Sequence, residues 1–387
     1  MKRRLAVIVA LGFMILLPAF VFSRAAWTLG GRVVPGPLPP SASAGTPALD
    51  FQSDIVYGEA GGRPLKLDLA KPSLCRDQTV PLIVYFHGGG WTMGDKSEAF
   101  GVGAIRMAFQ LGFAVASVNY RLAPEFRFPA QIHDCKRAIR FLRANAAAFG
   151  IDPDRIAAAG GSAGGHLASL AGTADENDGL EGPGWPGVSS RVAAVVEYFG
   201  PTDLTVSTTE ISSDGLKMLT DLLGGDPMIL TEAARLASPV TYVSADDPPF
   251  FIAHGDKDEL VPYSQARIFA EKLRLAGNAG ALIKVKNAGH VFVAETVLGG
   301  INPPLGDIFF AAAAHLGRFL EPALEGDLNM DGRTDVYDHW QLMLRFGLIG
   351  IGPGGAEAAD HWNPLADLVS DGVIDVLDVR EFFQKRS

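Results

Sequence analysis

The stretch Arg155-Ile156-Ala157-Ala158-Ala159-Gly160-Gly161-Ser162-Ala163-Gly164-Gly165-His166 runs from an apolar segment through a glycine-flanked serine into a run of small apolar residues. Arg155 to Ala159 predicts a short buried strand, and Ala163 to Ala171 is small and apolar enough to start a helix packed on a sheet. A serine on so sharp a strand-to-helix turn is held in a strained conformation, so its neighbours must lack bulk. Gly160 and Gly164 supply that lack, and Gly165 lets the helix approach. Glycine and serine collect in turns of every kind, so the G-x-S-x-G pattern alone is a weak signal. Its strand-turn-helix context is the specific part, together with an upstream glycine run, Phe86-His87-Gly88-Gly89-Gly90-Trp91.

A glycine-rich loop followed by a serine elbow is the order of an α/β-hydrolase, whose acid and base come later, in the order aspartate then histidine. After the apolar run Pro249 to Ala253 comes His254-Gly255-Asp256-Lys257-Asp258-Glu259-Leu260-Val261-Pro262, a loop at a strand's carboxyl end, where catalytic acids are found. After the next predicted strand, Ala281 to Lys286, comes Asn287-Ala288-Gly289-His290. Ser162 is the expected nucleophile and His290 its base, with Asp258 the chosen carboxylate and Asp256 its rival, since spacing does not separate the two. Backbone N–H groups of Gly89, Gly90 and Ala163 are expected to hold the tetrahedral oxyanion. The remaining histidines read structurally: His87 as a brace of its loop, His166 and His254 as hydrogen-bonded interior groups. No His/Cys/carboxylate cluster with zinc spacing occurs here, so no cofactor is expected for catalysis.

Several further stretches carry a family likeness: Tyr120-Arg121-Leu122-Ala123-Pro124-Glu125, Phe128-Pro129-Ala130-Gln131-Ile132-His133-Asp134-Cys135, and Phe149-Gly150-Ile151-Asp152-Pro153-Asp154-Arg155. With the elbow, they resemble the carbohydrate-esterase branch of α/β-hydrolases, which includes bifunctional acetylxylan and feruloyl esterases and lies close to the hormone-sensitive-lipase-like carboxylesterases. The likeness covers Asp54 to Glu321. Enzymes of the second group usually carry Asp or Glu just before the nucleophile, whereas this chain has Gly161, as on the carbohydrate-esterase side. The resemblance places the family's catalytic residues on Ser162, Asp258 and His290, and its oxyanion glycines on Gly89 and Gly90.

Composition agrees with an α/β enzyme carrying an addition. At 387 residues the chain suits about two domains plus a leader, 48% hydrophobic content fills a large core, and a net charge of −10 argues against nucleic acid or an anionic membrane surface as partner. Leu82 to Phe86 and Ala114 to Val118 read as buried strands, and Ala130 to Ala144 sets Ile132, Cys135, Ala138, Ile139 and Leu142 on one helical face. Residues 204–242 read as helical and loop material covering an acyl pocket. Lys2, Arg3 and Arg4 before the apolar run Leu5 to Phe22 mark residues 1–26 as an export signal or an uncleaved anchor, the one expected membrane contact. Residues 27–50 read as a flexible Gly/Pro/Ser-rich linker and 51–322 as the esterase domain. Cys75 and Cys135 read as separate thiols, with a disulfide as the alternative.

Residues 326–387 are of another kind. Asp327, Asn329, Asp331, Asp335 and Asp338 stand at positions one, three, five, nine and twelve of a calcium-type loop, with Gly332 at six and Arg333 at the backbone-ligand position seven. A second loop repeats the register with Asp367, Asp371, Gly372, Val373, Asp375 and Asp378, though Val369 stands where an oxygen ligand is expected. Each loop leads into an apolar helical stretch, and the pair resembles a type I dockerin, a small all-α EF-hand-like module. That resemblance implies structural Ca²⁺ and a cohesin-like docking partner. The sequence therefore leads to an exported serine esterase acting on acylated carbohydrate, with a general short-acyl carboxylesterase as the alternative. A non-catalytic scaffold or adhesion protein and a serine peptidase are weaker readings.

Overall fold

The computed structural model describes residues 28–29, 32–33, 49–72, 79–101, 112–205, 212–294 and 300–320. Two compact units divide the chain at Thr46. In the first, Thr28–Leu29 pairs antiparallel with Arg32–Val33, inside the stretch expected to be linker. The second holds an eight-stranded sheet: β1 (Leu49–Ala60), β2 (Arg63–Pro72), β3 (Val80–Phe86), β4 (Ala114–Val118), β5 (Ile151–Gly161), β6 (Ala194–Tyr198), β7 (Phe250–Gly255) and β8 (Gly280–Val285). Their spatial order is β8-β7-β6-β5-β3-β4-β2-β1, with β8 through β4 parallel and β2 antiparallel to both β4 and β1. This is the α/β-hydrolase fold.

The apolar runs become strands buried on both faces, because helices cover each side of a parallel sheet. Every residue of β3, β4, β6 and β7 is buried. Alternate side chains go to opposite layers: Leu82, Val84 and Phe86 to one, Ile83 and Tyr85 to the other. On the first layer lie α1 (Ala130–Ala144), α2 (Ala163–Thr173) and α5 (Ser264–Leu275). The predicted stripe of α1, Ile132, Cys135, Ala138, Ile139 and Leu142, is fully inside it. On the second layer α6 (Leu305–Leu320) buries Ile308, Ala312 and Leu316 at four-residue spacing. Between β6 and β7 stand α3 (Ser213–Leu223) and α4 (Thr231–Leu236), in the segment expected to cover a pocket.

The register decides where the chemistry can go. Phe86 of β3 pairs with Gly160 of β5, and Gly255 of β7 with Val285 of β8, so the carboxyl ends of four strands finish along one edge. The loops leaving those ends carry His87, Ser162, Asp258 and His290. Cys135 is buried as a free thiol, while Cys75 lies outside the described residues.

Candidate active site

Ser162 sits at φ 56°, ψ −123°, a backbone conformation that side-chain-bearing residues rarely adopt. The two flanking glycines are required by close packing of β3 against the turn. A Cβ on Gly160 would lie 2.3 Å from the Gly164 carbonyl oxygen, and one on Gly164 would lie 2.0 Å from that of Phe86. The Ser162 N–H donates to the Tyr198 carbonyl at 2.8 Å, which ties the elbow to the end of β6. Gly161 has a local cause as well. A Cβ there would stand 3.1 Å from the Phe199 ring, so a longer acidic side chain would have to displace that ring.

The glycine loop after β3 bends through left-handed conformations at Gly89, Gly90 and Trp91. The Gly89 carbonyl accepts from the N–H groups of Thr92 and Met93 at 3.1 Å, closing a turn, and among the described residues no backbone carbonyl accepts from Gly89, Gly90 or Ala163. The Tyr120 hydroxyl donates to the His87 carbonyl at 2.9 Å and the Ala123 N–H to the Trp91 carbonyl at 2.9 Å. That segment is itself pinned, because Arg121 makes a two-pronged bond to Asp134 on α1 at 2.8 and 2.9 Å. His87 stacks on Tyr120, with centroids 4.3 Å apart, and bonds the Gly88 carbonyl through Nδ1, so it braces the loop.

His290 Nε2 lies 3.0 Å from Ser162 Oγ, and His290 Nδ1 lies 2.7 Å from Asp258 Oδ2. The other Asp258 oxygen accepts the N–H groups of Leu260 and Val261 at 3.0 and 2.8 Å. Burial works to raise the Asp258 pKa, but hydrogen bonds from His254 and His290 outweigh it and hold the carboxyl well below the usual carboxylate range. An ionised carboxylate fixed on Nδ1 leaves Nε2 as the nitrogen that takes the serine proton. Asp256 is turned elsewhere, its carboxylate accepting the Asn287 N–H at 2.8 Å.

Three neighbours of this array were not singled out by motif. His254 Nε2 lies 2.8 Å from the Val261 carbonyl and 3.3 Å from Asp258 Oδ2, and the four-residue spacing to Asp258 was its one sequence signal. Its Nδ1 is buried without a partner, so His254 is less fully bonded than expected. Phe199 packs edge-on to His290 at 5.0 Å, and nothing in its sequence context marks it. Glu197, on β6, is completely buried; one oxygen accepts the Gly200 N–H while the other has no partner, and burial first, with Asp258 nearby, pushes its pKa up to about 8. Beside Ser162 opens a pocket of about 490 Å³, its mouth included, lined by Gly90, Ala163, Leu204, Met218, Leu219 and Val261 among others. Helix α3 closes one side, with Met218 so near Gly90 that a Cβ there would lie 2.4 Å from its sulfur.

Residues 67–273, more than half of the chain, match the family model named BD-FAE. The chain belongs to the BD-FAE family. Esterase LipQ of Mycobacterium tuberculosis is 38% identical over 63% of this chain and 58% of its own length. The chain spans about half to three fifths of the length of the curated relatives it matches. Among solved structures, a truncated carbohydrate esterase from gut microbiota aligns with TM-score 0.61 and 28% identity over 70% of this chain and 96% of that one. A bifunctional GH43-CE from Bacteroides eggerthii aligns with TM-score 0.62 and 33% identity over 70% of this chain and 35% of that one. All six residues expected of the serine chemistry lie in or beside the matched stretch, His290 beyond its end. The expected calcium ligands of residues 326–387 and the leader of residues 1–26 lie outside the described residues. Among the described residues no helix is long and apolar enough to cross a membrane.

Proposed function

We propose that the BD-FAE domain is a serine carboxylic-ester hydrolase that removes acetyl or feruloyl groups from polysaccharide. One observation carries the reading: the Ser162–His290–Asp258 hydrogen-bonded array, at 3.0 and 2.7 Å, opens on an apolar pocket beside unpaired N–H groups. Ser162 Oγ attacks the ester carbonyl carbon as its proton passes to His290 Nε2, and the carbonyl oxygen, now anionic, is held by the N–H groups of Gly89, Gly90 and Ala163. Collapse breaks the bond to the alcohol, which leaves with the proton from His290. Water then repeats the sequence on the acyl-enzyme, releasing the acid and restoring Ser162. Asp258 holds the imidazole tautomer and stabilises the imidazolium throughout.

The carbohydrate part of the reading is supported by the likeness to the gut-microbiota carbohydrate esterase and to the bifunctional GH43-CE, and by Gly161 in place of an acid. A general short-acyl carboxylesterase is the second reading, favoured by the apolar pocket lining and by the likeness to LipQ. Residues 1–26 are proposed as an export signal or anchor and 326–387 as a calcium-stabilised docking module for a cohesin-like partner. The donor set there is all oxygen, from Asp327, Asn329, Asp331, the Arg333 carbonyl and Asp338 and then Asp367, Asp371, the Val373 carbonyl and Asp378, which suits a hard cation. Ser162→Ala tests the core claim: ester hydrolysis should disappear while the fold remains, and wild-type turnover in that variant would refute it. Rates on acetate, butyrate and ferulate esters and on acetylated xylan then separate the two substrate readings.

A further inference from the structure

His166 lies in α2, one helical turn beyond the nucleophile, its N–H donating to the Ser162 carbonyl at 3.0 Å. The ring is wholly buried, and both its nitrogens are engaged. Nδ1 faces the indole Nε1 of Trp91 at 3.1 Å, and Nε2 faces the Ala237 carbonyl at 2.7 Å. An indole N–H only donates and a carbonyl only accepts, so the bonds allow one state: neutral imidazole, Nδ1 accepting, Nε2–H donating. Burial agrees, lowering the His166 pKa to about 4.

Trp91 is the residue at which this bond meets the chemistry. It follows Gly90 in the loop expected to hold the oxyanion, is itself buried, and has φ 60°, a conformation that a tryptophan keeps only when its surroundings impose it. Its carbonyl accepts from Ala123, which fixes one side of the backbone, and its side chain is fixed by His166. We propose that His166 is a positioning residue: through the indole of Trp91 it fixes the Gly89–Gly90 N–H groups relative to Ser162. Nucleophile and clamp ride on one rigid helix, so the gap between attacking oxygen and oxyanion donors is set within a single element. The Ala237 bond extends the same imidazole to the end of α4, in the segment that covers the acyl pocket.

This inference rests on the ester-hydrolase reading, and the experiment separates the two. Steady-state kinetics on a short-acyl chromogenic ester are measured for Ser162→Ala, His166→Phe, His166→Asn, Trp91→Phe and the Trp91→Phe/His166→Phe pair, each at a temperature well below its own unfolding midpoint. Loss of an oxyanion donor typically lowers kcat by about a hundredfold to a thousandfold, so a donor left in place but loosened should lose about tenfold to a hundredfold. His166→Phe and Trp91→Phe should each show that loss in kcat, and His166→Phe should show it with KM within about threefold, because His166 does not line the pocket that binds the acyl group, whereas Trp91 does. His166→Asn keeps an acceptor near the Nδ1 position and should recover most of the rate, and the pair should be no worse than its poorer single variant. Tight binding of a trifluoromethyl ketone, which places an oxyanion in the same hole, should weaken in parallel with kcat. Folded His166→Phe with kcat within twofold of wild type, or losses that multiply in the pair, would overturn the proposal. If His166→Phe does not fold, Trp91→Phe with unchanged kcat overturns it alone. Activity retained by Ser162→Ala would instead remove the hydrolase reading itself.

Discussion

Glu197→Gln should make the protein more stable, and increasingly so as pH rises from 5 to 8. Glu197 is fully buried beside the elbow, one carboxyl oxygen bonded to the Gly200 N–H and the other without a partner. Its pKa, pushed from 4.5 up to about 8 by burial and then by the nearby Asp258, means that the folded chain keeps a proton that the unfolded chain has lost. The sign follows from linkage. Below pH 4.5 both states are protonated and the group is neutral in its effect; as pH rises towards 8 the unfolded state releases its proton first, and stability falls at about 1.4 kcal/mol per pH unit. At pH 7 the interval above the unfolded value is 2.5 units, or about 3 kcal/mol. The amide keeps the shape and the acceptor for Gly200 but does not titrate. Urea unfolding of both proteins at half-unit pH steps gives the difference, and constant terms cancel from its slope. An advantage that stays flat between pH 5 and 8 would refute the assignment of Glu197 as the buried neutral acid.

Three further outcomes are expected. Asp258→Asn should lower kcat by roughly four orders of magnitude, since only this carboxylate holds His290 in the productive tautomer, while Asp256→Asn should stay within a few-fold; steady-state kinetics reversing that order would mean the wrong acid. Met218→Ala opens the pocket wall against Gly90, so kcat/KM should shift towards longer acyl chains by up to about fourfold per added methylene, read from a series of p-nitrophenyl esters; an unchanged chain-length profile contradicts Met218 as the wall. Adding chelator should make the segment after Glu325 protease-sensitive and adding calcium should protect it, while esterase activity barely responds; loss of catalysis in chelator would refute the separation of the two parts.

The elements of the fold were legible where local rules act alone. The apolar runs Leu82 to Phe86 and Ala114 to Val118 read as strands buried on both faces and are so, and the spacing of Ile132, Cys135 and Ile139 puts one helix face inward, as found. Glycine at 160 and 164 announced a backbone too crowded for a side chain, which the carbonyls of Phe86 and Gly164 bear out. The serine, the glycine loop and the histidine were visible because each sits beside a strand end whose residues mark it. The choice between Asp256 and Asp258 was not. Both stand in one loop two residues apart, and only the packing of the β8 loop against the β7 loop turns one carboxylate to Asn287 and the other to His290. The same holds for Glu197, Phe199 and the His166–Trp91 bond. Burial and mutual approach belong to pairs of residues far apart in the chain, and a sequence pattern records only what neighbours along the chain require.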